Sequence, residues 1–375
     1  MEGVFTIEEL QNRLPDYREV DAVTCATFAV VSAVSLVLEF PFAEPGRFKK
    51  AIKVTIDGEE TLTGPAPNET LGIVDGIASR PLFVEKLLSG KSVKAIVTAE
   101  KMDGSTETIE RNLSLEDFSY TKLLFTRVCV KNYMGFVSDK PVKTIFSAEK
   151  LNPGEFTFSG CGALNPLEHF KVKPGEKIFI AGTVGIVTGN GTRSTPKRPN
   201  LSVMCDLKDV KKEYFGLFKT GGGTEYYVGL GIKKSVESRE EYKKLTEKRH
   251  ENIPLLVANV VGRKPIATLT YSDVWKFDDT LKFNREKCQK CNPCLIEEHC
   301  PAEAFSKEEG FLTNCMFCGR CINLCPFNAV EGDIGTVMID GKEYKITFRQ
   351  SSIKRAREIA QKLKNGYDFD KIVKV

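Results

Sequence analysis

Eight of the chain's twelve cysteines crowd between positions 288 and 325. They form two similar runs, each with three cysteines in C-x2-C-x2-C order and a fourth next to proline: Cys288, Cys291, Cys294 and Cys300, then Cys315, Cys318, Cys321 and Cys325. The second run has the spacing of bacterial ferredoxins, and the first has two extra residues before its fourth cysteine. Because the amino terminus lacks a secretory signal, this clustering indicates metal binding rather than disulfides.

The spacing of the two runs predicts two [4Fe–4S] clusters. A tight loop presents three thiolates to one cluster, and the cysteine next to proline ligates the other cluster. The predicted ligand sets are Cys288, Cys291, Cys294 and Cys325 for one cluster, and Cys315, Cys318, Cys321 and Cys300 for the other. A pair of zinc sites is the alternative, but such sites are built from two CxxC knuckles, and neither run is divided in that way.

Length and charge narrow the class of protein. A chain of 375 residues is too long for one ordinary core, so we expect two or three domains. The net charge of +4 comes from nearly balanced acids and bases, which argues against a nucleic-acid partner. Positions 22–38 contain no charged residue, but the stretch is short and interrupted by Thr24 and Thr27, so it predicts a buried core segment rather than a membrane span. We expect a cytoplasmic protein.

Turn signals predict a strand-rich α+β fold. Asp57-Gly58, Asp103-Gly104 and Asp340-Gly341 each lie between strand-like runs, as in tight hairpins. Helices are expected at 78–89, at 236–250 and from Ser351 or Ser352 onward. The resulting division is a mixed, glycine-containing domain over 1–278, a bacterial-type 2[4Fe–4S] ferredoxin domain over 279–335, and a hairpin plus helix over 336–375.

Cys161 is the first candidate for chemistry in the large domain. It lies between Gly160 and Gly162, where the backbone can approach a ligand closely and successive N–H groups can stabilise a thiolate or an oxyanion. A small buried cysteine in a tight turn is the alternative. Cys129 and Cys205 lie in apolar runs typical of core strands, and Cys25 stays open between the two roles. Walker and dinucleotide-binding motifs are absent from the sequence.

Five segments of the large domain resemble the archaeal and bacterial homocysteine biosynthesis family. They are Val20-Asp-Ala-Val-Thr-Cys-Ala-Thr27, Phe158-Ser-Gly-Cys-Gly-Ala-Leu-Asn-Pro166, the glycine-rich stretch from Ile178 to Thr192, Cys205-Asp-Leu-Lys208 and Val228-Gly-Leu-Gly-Ile232. Together with its ferredoxin-type module, the whole chain is similar to the methanogenesis marker 16 metalloproteins.

The resemblance implies sulfur incorporation, in which aspartate semialdehyde, a sulfide source and two electrons give homocysteine or a related thiol. The cysteine of the family pattern falls at Ser32 here, which suggests a diverged substrate. Cys161 is then the first candidate for the reactive thiol and Cys25 the second. Ser32 would shape the substrate pocket together with six glycines: Gly160, Gly162, Gly182, Gly185, Gly189 and Gly191.

The implied activity is that of an iron–sulfur oxidoreductase with a small-molecule substrate, a sulfur donor and a redox partner protein. The alternative is a non-catalytic electron-transfer or cofactor-assembly protein whose large domain docks another protein. The two differ in one expectation: changing Cys161 should abolish product formation in the first and be silent in the second.

Overall fold

The structure, a computed structural model, describes residues 3–64, 70–131, 134–159, 162–275 and 281–370. Its strands, numbered in chain order, are β1 Val4–Thr6, β2 Ala22–Val31, β3 Val34–Pro41, β4 Lys50–Ile56, β5 Glu59–Thr63, β6 Ile73–Ser79, β7 Val93–Glu100, β8 Thr106–Leu113, β9 Tyr120–Val128, β10 Met134–Val137, β11 Val142–Lys143, β12 Lys150–Leu151, β13 Glu155–Phe158, β14 Lys177–Ile180, β15 Thr183–Asn190, β16 Leu201–Asp206, β17 Phe215–Thr220, β18 Gly223–Ser235, β19 Pro254–Asn259, β20 Pro265–Thr270, β21 Lys282–Phe283, β22 Phe305–Ser306, β23 Gly310–Phe311, β24 Val330–Glu331, β25 Thr336–Ile339 and β26 Lys342–Arg349. The helices are α1 Ile7–Arg13, α2 Val84–Leu88, α3 Pro166–His169, α4 Arg239–Glu247, α5 Tyr271–Trp275, α6 Leu295–His299 and α7 Ile353–Lys364. This strand-rich mixture of strands and helices confirms the expected class of the large domain.

Most strands belong to one large, predominantly antiparallel sheet. Its order is β1-β2-β18-β14-β15-β16-β9-β3-β6-β5-β4-β7-β8, and β17 pairs with β18. Strands β2 and β3 follow each other in the chain, yet β2 pairs with β18 and β3 pairs with β9. The two residues between β2 and β3, Ser32 and Ala33, therefore form a corner at which the chain passes from one part of the sheet to another.

The uncharged stretch at positions 22–38 is buried, as expected, and it forms strands. All ten residues of β2 are buried, and every second residue of β3 is buried from Val34 onward. That alternation is the pattern of a strand with one covered face. Within the described part of the chain, no helix is both long enough and apolar enough to cross a membrane.

Two of the predicted hairpins in the large domain form around their Asp-Gly pairs. Asp57 and Gly58 both have positive φ angles, 49° and 81°, and join β4 to β5 directly. Strands β7 and β8 also pair, across a five-residue connection that contains Asp103 and Gly104. Aspartate and glycine tolerate this left-handed conformation better than most residues, which explains why the dipeptide indicates the turn.

The predicted helices of the large domain are only partly present. The structure has α4 inside the range 236–250, and Ser238 caps it by accepting a hydrogen bond from the Glu241 backbone N–H. The prediction for 78–89 was too long, because β6 continues to Ser79 and only the five-residue α2 follows. Strand pairing of β6 with β3 and β5 accounts for the shorter helix.

The carboxyl-terminal segment packs into the large domain. Strand β26 pairs with β13 in parallel, within a second sheet of order β20-β19-β10-β13-β26-β25. Helix α7 lies against β18, and a Cβ atom at Gly231 would be 2.6 Å from a methyl carbon of Leu363. The two glycines of the Val228–Ile232 segment therefore leave room for this helix. The boundary expected near position 278 lies outside the described residues.

Candidate functional site

A cavity of about 240 Å³ lies beside the corner between β2 and β3. Its lining residues are Val30, Val31, Ser32, Arg127, Val130, Phe136, Ile145, Phe146, Ser159, Arg193, Arg198, Asn200, Glu225, Arg263 and Gln350. The lining draws on both sheets, and a concave site with a few converging polar groups is the usual form of a small-molecule site.

Ser32 reaches this cavity because the corner holds it there. Tyr226 pairs with Val31 at the end of the antiparallel ladder of β18 and β2, and the adjacent residues Glu225 and Ser32 both line the cavity. Ala33 has a φ of 65°, in the left-handed region, and its carbonyl oxygen accepts two hydrogen bonds from Thr126. The expectation that Ser32 helps to shape a pocket agrees with this position.

Four arginines make the cavity electropositive. Arg127, Arg193, Arg198 and Arg263 line it, whereas Glu225 is the one acidic residue of the lining. The Arg263 guanidinium lies over the rings of Phe136 and Phe146, 4.8 Å and 4.6 Å from their centres. Partial burial and the charge of Arg198 lower the pKa of Arg263. Such a concentration of guanidinium groups favours a ligand with an anionic group.

Two buried polar atoms in the cavity have no hydrogen-bond partner in the described part of the chain. They are Oε2 of Glu225 and Oδ1 of Asn200. The other amide atom of Asn200 donates to the Thr192 carbonyl oxygen, which fixes the side chain in place. Oδ1 of Asn200 packs against Gly191. Buried polar atoms without partners are rare in folded proteins, so Oε2 of Glu225 points to a ligand.

Ser159, the residue that precedes Gly160 in the sequence, is part of the cavity lining. Its backbone N–H donates to the Met134 carbonyl oxygen at 3.1 Å, and its side chain lines the cavity. Gly160 and Cys161 lie outside the described residues. On the other side of them, Gly162 packs so closely on Phe158 that a Cβ atom would be 2.7 Å from the ring.

The remaining cysteines of the large domain are buried. The thiol of Cys25 donates to the Leu164 carbonyl oxygen at 2.7 Å, and burial raises its pKa well above the ordinary value. Burial also raises the pKa of Cys205, and Cys129 donates to the Asn165 side chain. A fully buried neutral thiol is a poor nucleophile, which favours a structural role for Cys25.

Four of the six predicted pocket glycines lie in the turn between β14 and β15, in β15 itself, and in the loop that follows. A Cβ atom at Gly182 would contact Lys211 and Tyr214, and one at Gly185 would contact Ile180, so both glycines serve close packing. Gly191 is the glycine beside the cavity, because its Cβ atom would lie 1.8 Å from Oδ1 of Asn200. Gly189 has open space around it and a φ of 146°.

The structure brings together one of the two predicted ligand sets of the cysteine-rich segment. Cys300, Cys315, Cys318 and Cys321 line one small apolar cavity, together with residues such as Phe305. Within the described ranges, no three His, Cys, Asp or Glu side chains converge closely enough to hold a single metal ion. The four thiols thus share a cavity without the tight convergence of a mononuclear zinc site.

The two halves of this segment repeat the same local structure. The backbone N–H of Ala304 donates to the Cys300 sulfur, and that of Ala329 donates to the Cys325 sulfur, four residues along the chain in each case. A short strand begins five residues after each of these cysteines, β22 and β24. Cys288, Cys291 and Cys294 are partly exposed, as is Cys325. Sulfur atoms that accept backbone N–H groups are typical of iron–sulfur ligands.

A short backbone segment joins the cysteine cavity to the arginine-lined cavity. The Arg349 N–H donates to the Cys318 carbonyl oxygen at 3.0 Å. The next residue, Gln350, lines the arginine-lined cavity, and its carbonyl oxygen accepts from the N–H of Val30, another lining residue. The two cavities are therefore neighbours through two consecutive residues.

The sequence profile of the family "Homocysteine biosynthesis enzyme, sulfur-incorporation" matches residues 3–371. The chain belongs to this family. The match is longer than the resemblance read from the sequence motifs, since it runs through the cysteine-rich segment and the tail. No solved structure matches the chain.

Relatives of this homocysteine biosynthesis family member fall into two groups. An uncharacterized protein of Methanocaldococcus jannaschii is 34% identical over 96% of both chains. An uncharacterized protein of Methanothermobacter thermautotrophicus is 36% identical over 96% of this chain and 89% of its own. An L-aspartate semialdehyde sulfurtransferase of Methanosarcina acetivorans is 29% identical over 57% of this chain and 46% of its own.

Sequence reasoning missed the charged residues of the cavity in this family member. Arg193 and Arg198 follow the last glycine of the glycine-rich stretch, so they lie next to a segment that the motifs had already singled out. Arg127, Arg263 and Glu225 come from three separate parts of the chain. Only strand pairing brings those three together, and no local sequence pattern indicates that pairing.

Proposed function

We propose that this chain incorporates sulfur into an anionic carbonyl compound in the arginine-lined cavity and draws electrons from two [4Fe–4S] clusters. The cavity itself carries the proposal. It combines four arginines, the family's cysteine position at Ser32, and Ser159 from the cysteine–glycine segment. The family's sulfur-incorporation description supports the reaction class.

Aspartate semialdehyde is the first candidate substrate. Its carboxylate suits the guanidinium groups, which bind planar oxyanions through paired hydrogen bonds. The relatives named for aspartate semialdehyde sulfurtransferase cover only part of this chain, and Ser32 replaces the cysteine of the family pattern. Other aldehydes that carry a carboxylate, a sulfonate or a phosphate group are therefore to be compared with it.

The overall chemistry balances with sulfide and two electrons. Hydrogen sulfide adds to the aldehyde carbon and forms a C–S bond, while the carbonyl oxygen takes up a proton. Two electrons and two protons then convert the adduct to a thiol and water, with cleavage of the C–O bond. We propose Cys161 as the residue that positions the incoming sulfide, because it follows Ser159 by two positions in the sequence.

The cysteine-rich segment fits the predicted clusters. Cys300, Cys315, Cys318 and Cys321 share one apolar cavity, and backbone N–H groups donate to Cys300 and Cys315. Cys288, Cys291, Cys294 and Cys325 would hold the second cluster. When bound, the clusters would supply single electrons to the neighbouring cavity. The Arg349–Gln350 segment joins the four-thiol cavity to the arginine-lined cavity. It therefore supports the cluster of the four-thiol cavity as the one nearer to the substrate.

Anaerobic assay of cluster-loaded protein tests the proposal. The protein is given sulfide, a chemical reductant and one aldehyde at a time, and thiol products are identified by mass spectrometry. We expect thiol formation from at least one anionic aldehyde and none from an uncharged aldehyde of similar length. Absence of thiol with every aldehyde would contradict sulfur incorporation.

Paired cysteine variants separate catalysis from docking. Cys161→Ser should abolish thiol formation while iron content stays the same as in the wild type. Cys25→Ser should keep most of the activity, because a hydroxyl can make the same hydrogen bond to the Leu164 carbonyl oxygen. Full activity of Cys161→Ser would instead favour the alternative of a docking or cofactor-assembly protein. Iron-free, zinc-containing protein from anaerobic purification would contradict the clusters.

A further inference from the structure

We propose that Glu225 is the proton donor to the carbonyl oxygen of the bound substrate. The inference rests on the proposed function, because it assigns a residue to the step in which that oxygen is lost. Three observations support it: the position of Glu225 in the cavity, its burial, and the partners of its two carboxylate oxygens.

Glu225 lies at the end of the β2–β18 ladder. Tyr226 and Val31 form the last pair of this ladder, and Glu225 and Ser32 are their neighbours in the sequence. Glu225 is 7% exposed and lines the same cavity as Ser32 and Ser159. Glu225 therefore shares its cavity with Ser32 and Ser159, the residues that the sequence motifs associate with the reactive centre.

One carboxylate oxygen is left for a ligand. Oε1 of Glu225 lies 3.8 Å from an Arg80 nitrogen, and that nitrogen already donates to the Thr224 carbonyl oxygen at 2.6 Å. Oε2 is buried and has no hydrogen-bond partner among the described residues. A buried carboxylate oxygen without a partner is costly, whereas a protonated oxygen that donates to a substrate oxygen is satisfied.

Burial of the carboxyl group outweighs the nearby positive charges in the balance that sets the pKa of Glu225. Burial raises the pKa of Glu225, although the charges of Arg80 and Arg127 act in the opposite direction. Arg193, Arg198 and Arg263 are the other charged residues of the cavity. An acid near neutrality works best when its pKa is close to the working pH, and a raised glutamate pKa moves it that way.

The proposed reaction needs a proton donor at the carbonyl oxygen of the substrate. When sulfide adds to the aldehyde, the carbonyl oxygen becomes an alkoxide unless it receives a proton, here from Glu225. A second proton, passed through Glu225 after it is reprotonated from solvent, lets this oxygen leave as water. The two electrons come from the clusters or from a chemical reductant, and the remaining proton ends on carbon.

The kinetic test uses Glu225→Gln in cluster-loaded protein. Glutamine keeps the size of the side chain but cannot deliver the proton, so kcat should fall by roughly 10²- to 10⁴-fold with little change in KM. The wild-type rate should fall as the pH rises through the pKa of Glu225, and the variant should lack this limb. Glu225→Asp should recover part of the rate. An unchanged kcat or an unchanged pH profile in Glu225→Gln would overturn the proposal.

The control is Glu59→Gln, because Glu59 also has a raised pKa but lies outside the cavity lining. We expect wild-type kcat and the wild-type pH profile for this variant. Equal losses in Glu59→Gln and Glu225→Gln would show a general effect of removing a carboxylate, which would also overturn the assignment.

A binding measurement separates this inference from the sulfur chemistry. Homoserine has a hydroxyl group in place of the aldehyde of aspartate semialdehyde, and it cannot react. Calorimetric titration in buffers of different ionisation enthalpy should show proton uptake by the wild type on binding homoserine and none by Glu225→Gln. Proton uptake without thiol formation by the wild type would contradict only the proposed function. Equal proton uptake in both proteins would contradict the role of Glu225.

Discussion

Three residues around the arginine-lined cavity hold left-handed backbone although none of them is glycine. Ala33, Arg193 and Arg263 have φ angles of 65°, 60° and 57°. This conformation is unfavourable for residues with a side chain, and it concentrates at functional sites where the surrounding structure enforces it. At Arg193 and Arg263 it orients a guanidinium group that lines the cavity. The same conformation occurs at residues outside the cavity lining, such as Leu14 and Asp340, so it positions these arginines without by itself marking the cavity as the site.

Arg263→Gln should weaken the binding of an anionic substrate. The variant removes a positive charge that lies over Phe136 and Phe146 at the cavity, so we expect KM to rise roughly tenfold, which corresponds to about 1.4 kcal/mol. Added salt screens the attraction between the arginines and an anionic substrate. It should raise the KM of the wild type more than that of the variant, because the variant has already lost part of this attraction. The measurement is KM at two salt concentrations.

Arg18→Gln is the matched control for Arg263→Gln. Arg18 is an exposed arginine that pairs with Asp16 outside the cavity lining. Its loss should leave KM and its salt dependence unchanged. If Arg263→Gln behaved like Arg18→Gln, the arginines would not bind the substrate.

The sequence predicted the secondary-structure elements that are determined by residues adjacent in the chain. The Asp-Gly pair between β4 and β5 forms its turn because two adjacent residues determine it. Gly229 and Gly231 looked like parts of a family motif, yet their lack of side chains makes room for helix α7, which lies more than a hundred residues later in the chain. Such packing depends on the whole fold, so one sequence could not indicate it.

The loop that follows β15 gives a prediction for Gly191. A Cβ atom there would lie 1.8 Å from Oδ1 of Asn200 and 2.7 Å from the backbone oxygens of Thr126 and Leu201. Gly191→Ala should therefore displace Asn200, lower the free energy of unfolding by about 1–3 kcal/mol, and weaken substrate binding. Urea unfolding and KM measure the two effects.

Gly64→Ala provides the comparison, because no atom of the described residues lies within 4 Å of a Cβ atom at Gly64. Its free energy of unfolding should stay within about 0.5 kcal/mol of the wild type. Equal stability and equal KM for the two alanine variants would contradict the close packing of Gly191 on Asn200.

At the scale of the whole molecule, strand pairing joins the tail to the large domain. β26 of the tail pairs with β13, the strand that precedes Ser159. Through Arg349 the same strand meets Cys318, and through Gln350 it meets the cavity. The sequence predicted the cysteine sets from their spacing, whereas the proximity of the two cavities depends on this long-range pairing. The proposed electron supply thus depends on the tail.

One buried histidine, His250, and one half-buried histidine, His169, make the stability of the whole molecule depend on pH. Burial lowers the pKa of His169 to about 3 and that of His250 to about 4, and the charge of His250 acts further on His169. The ring nitrogens of both have no hydrogen-bond partner within the described ranges. Both histidines are therefore neutral in the folded protein at pH values where an unfolded chain would protonate them.

The free energy of unfolding should fall as the pH decreases from about 6.5 toward about 4. Above the ordinary histidine pKa of 6.5 both states are neutral, so the pair has no effect. Below it the unfolded chain binds protons that the folded protein excludes, which favours unfolding by at most about 1.4 kcal/mol per pH unit for each histidine.

The double variant His169→Phe/His250→Phe should reduce this slope in urea titrations followed by circular dichroism, whereas His299→Gln, which changes an exposed histidine, should keep it. Because each variant is compared with the wild type at the same pH, acid damage to the clusters affects all three proteins alike. The same slope in the double variant and the wild type would mean that these two histidines already carry their protons in the folded protein.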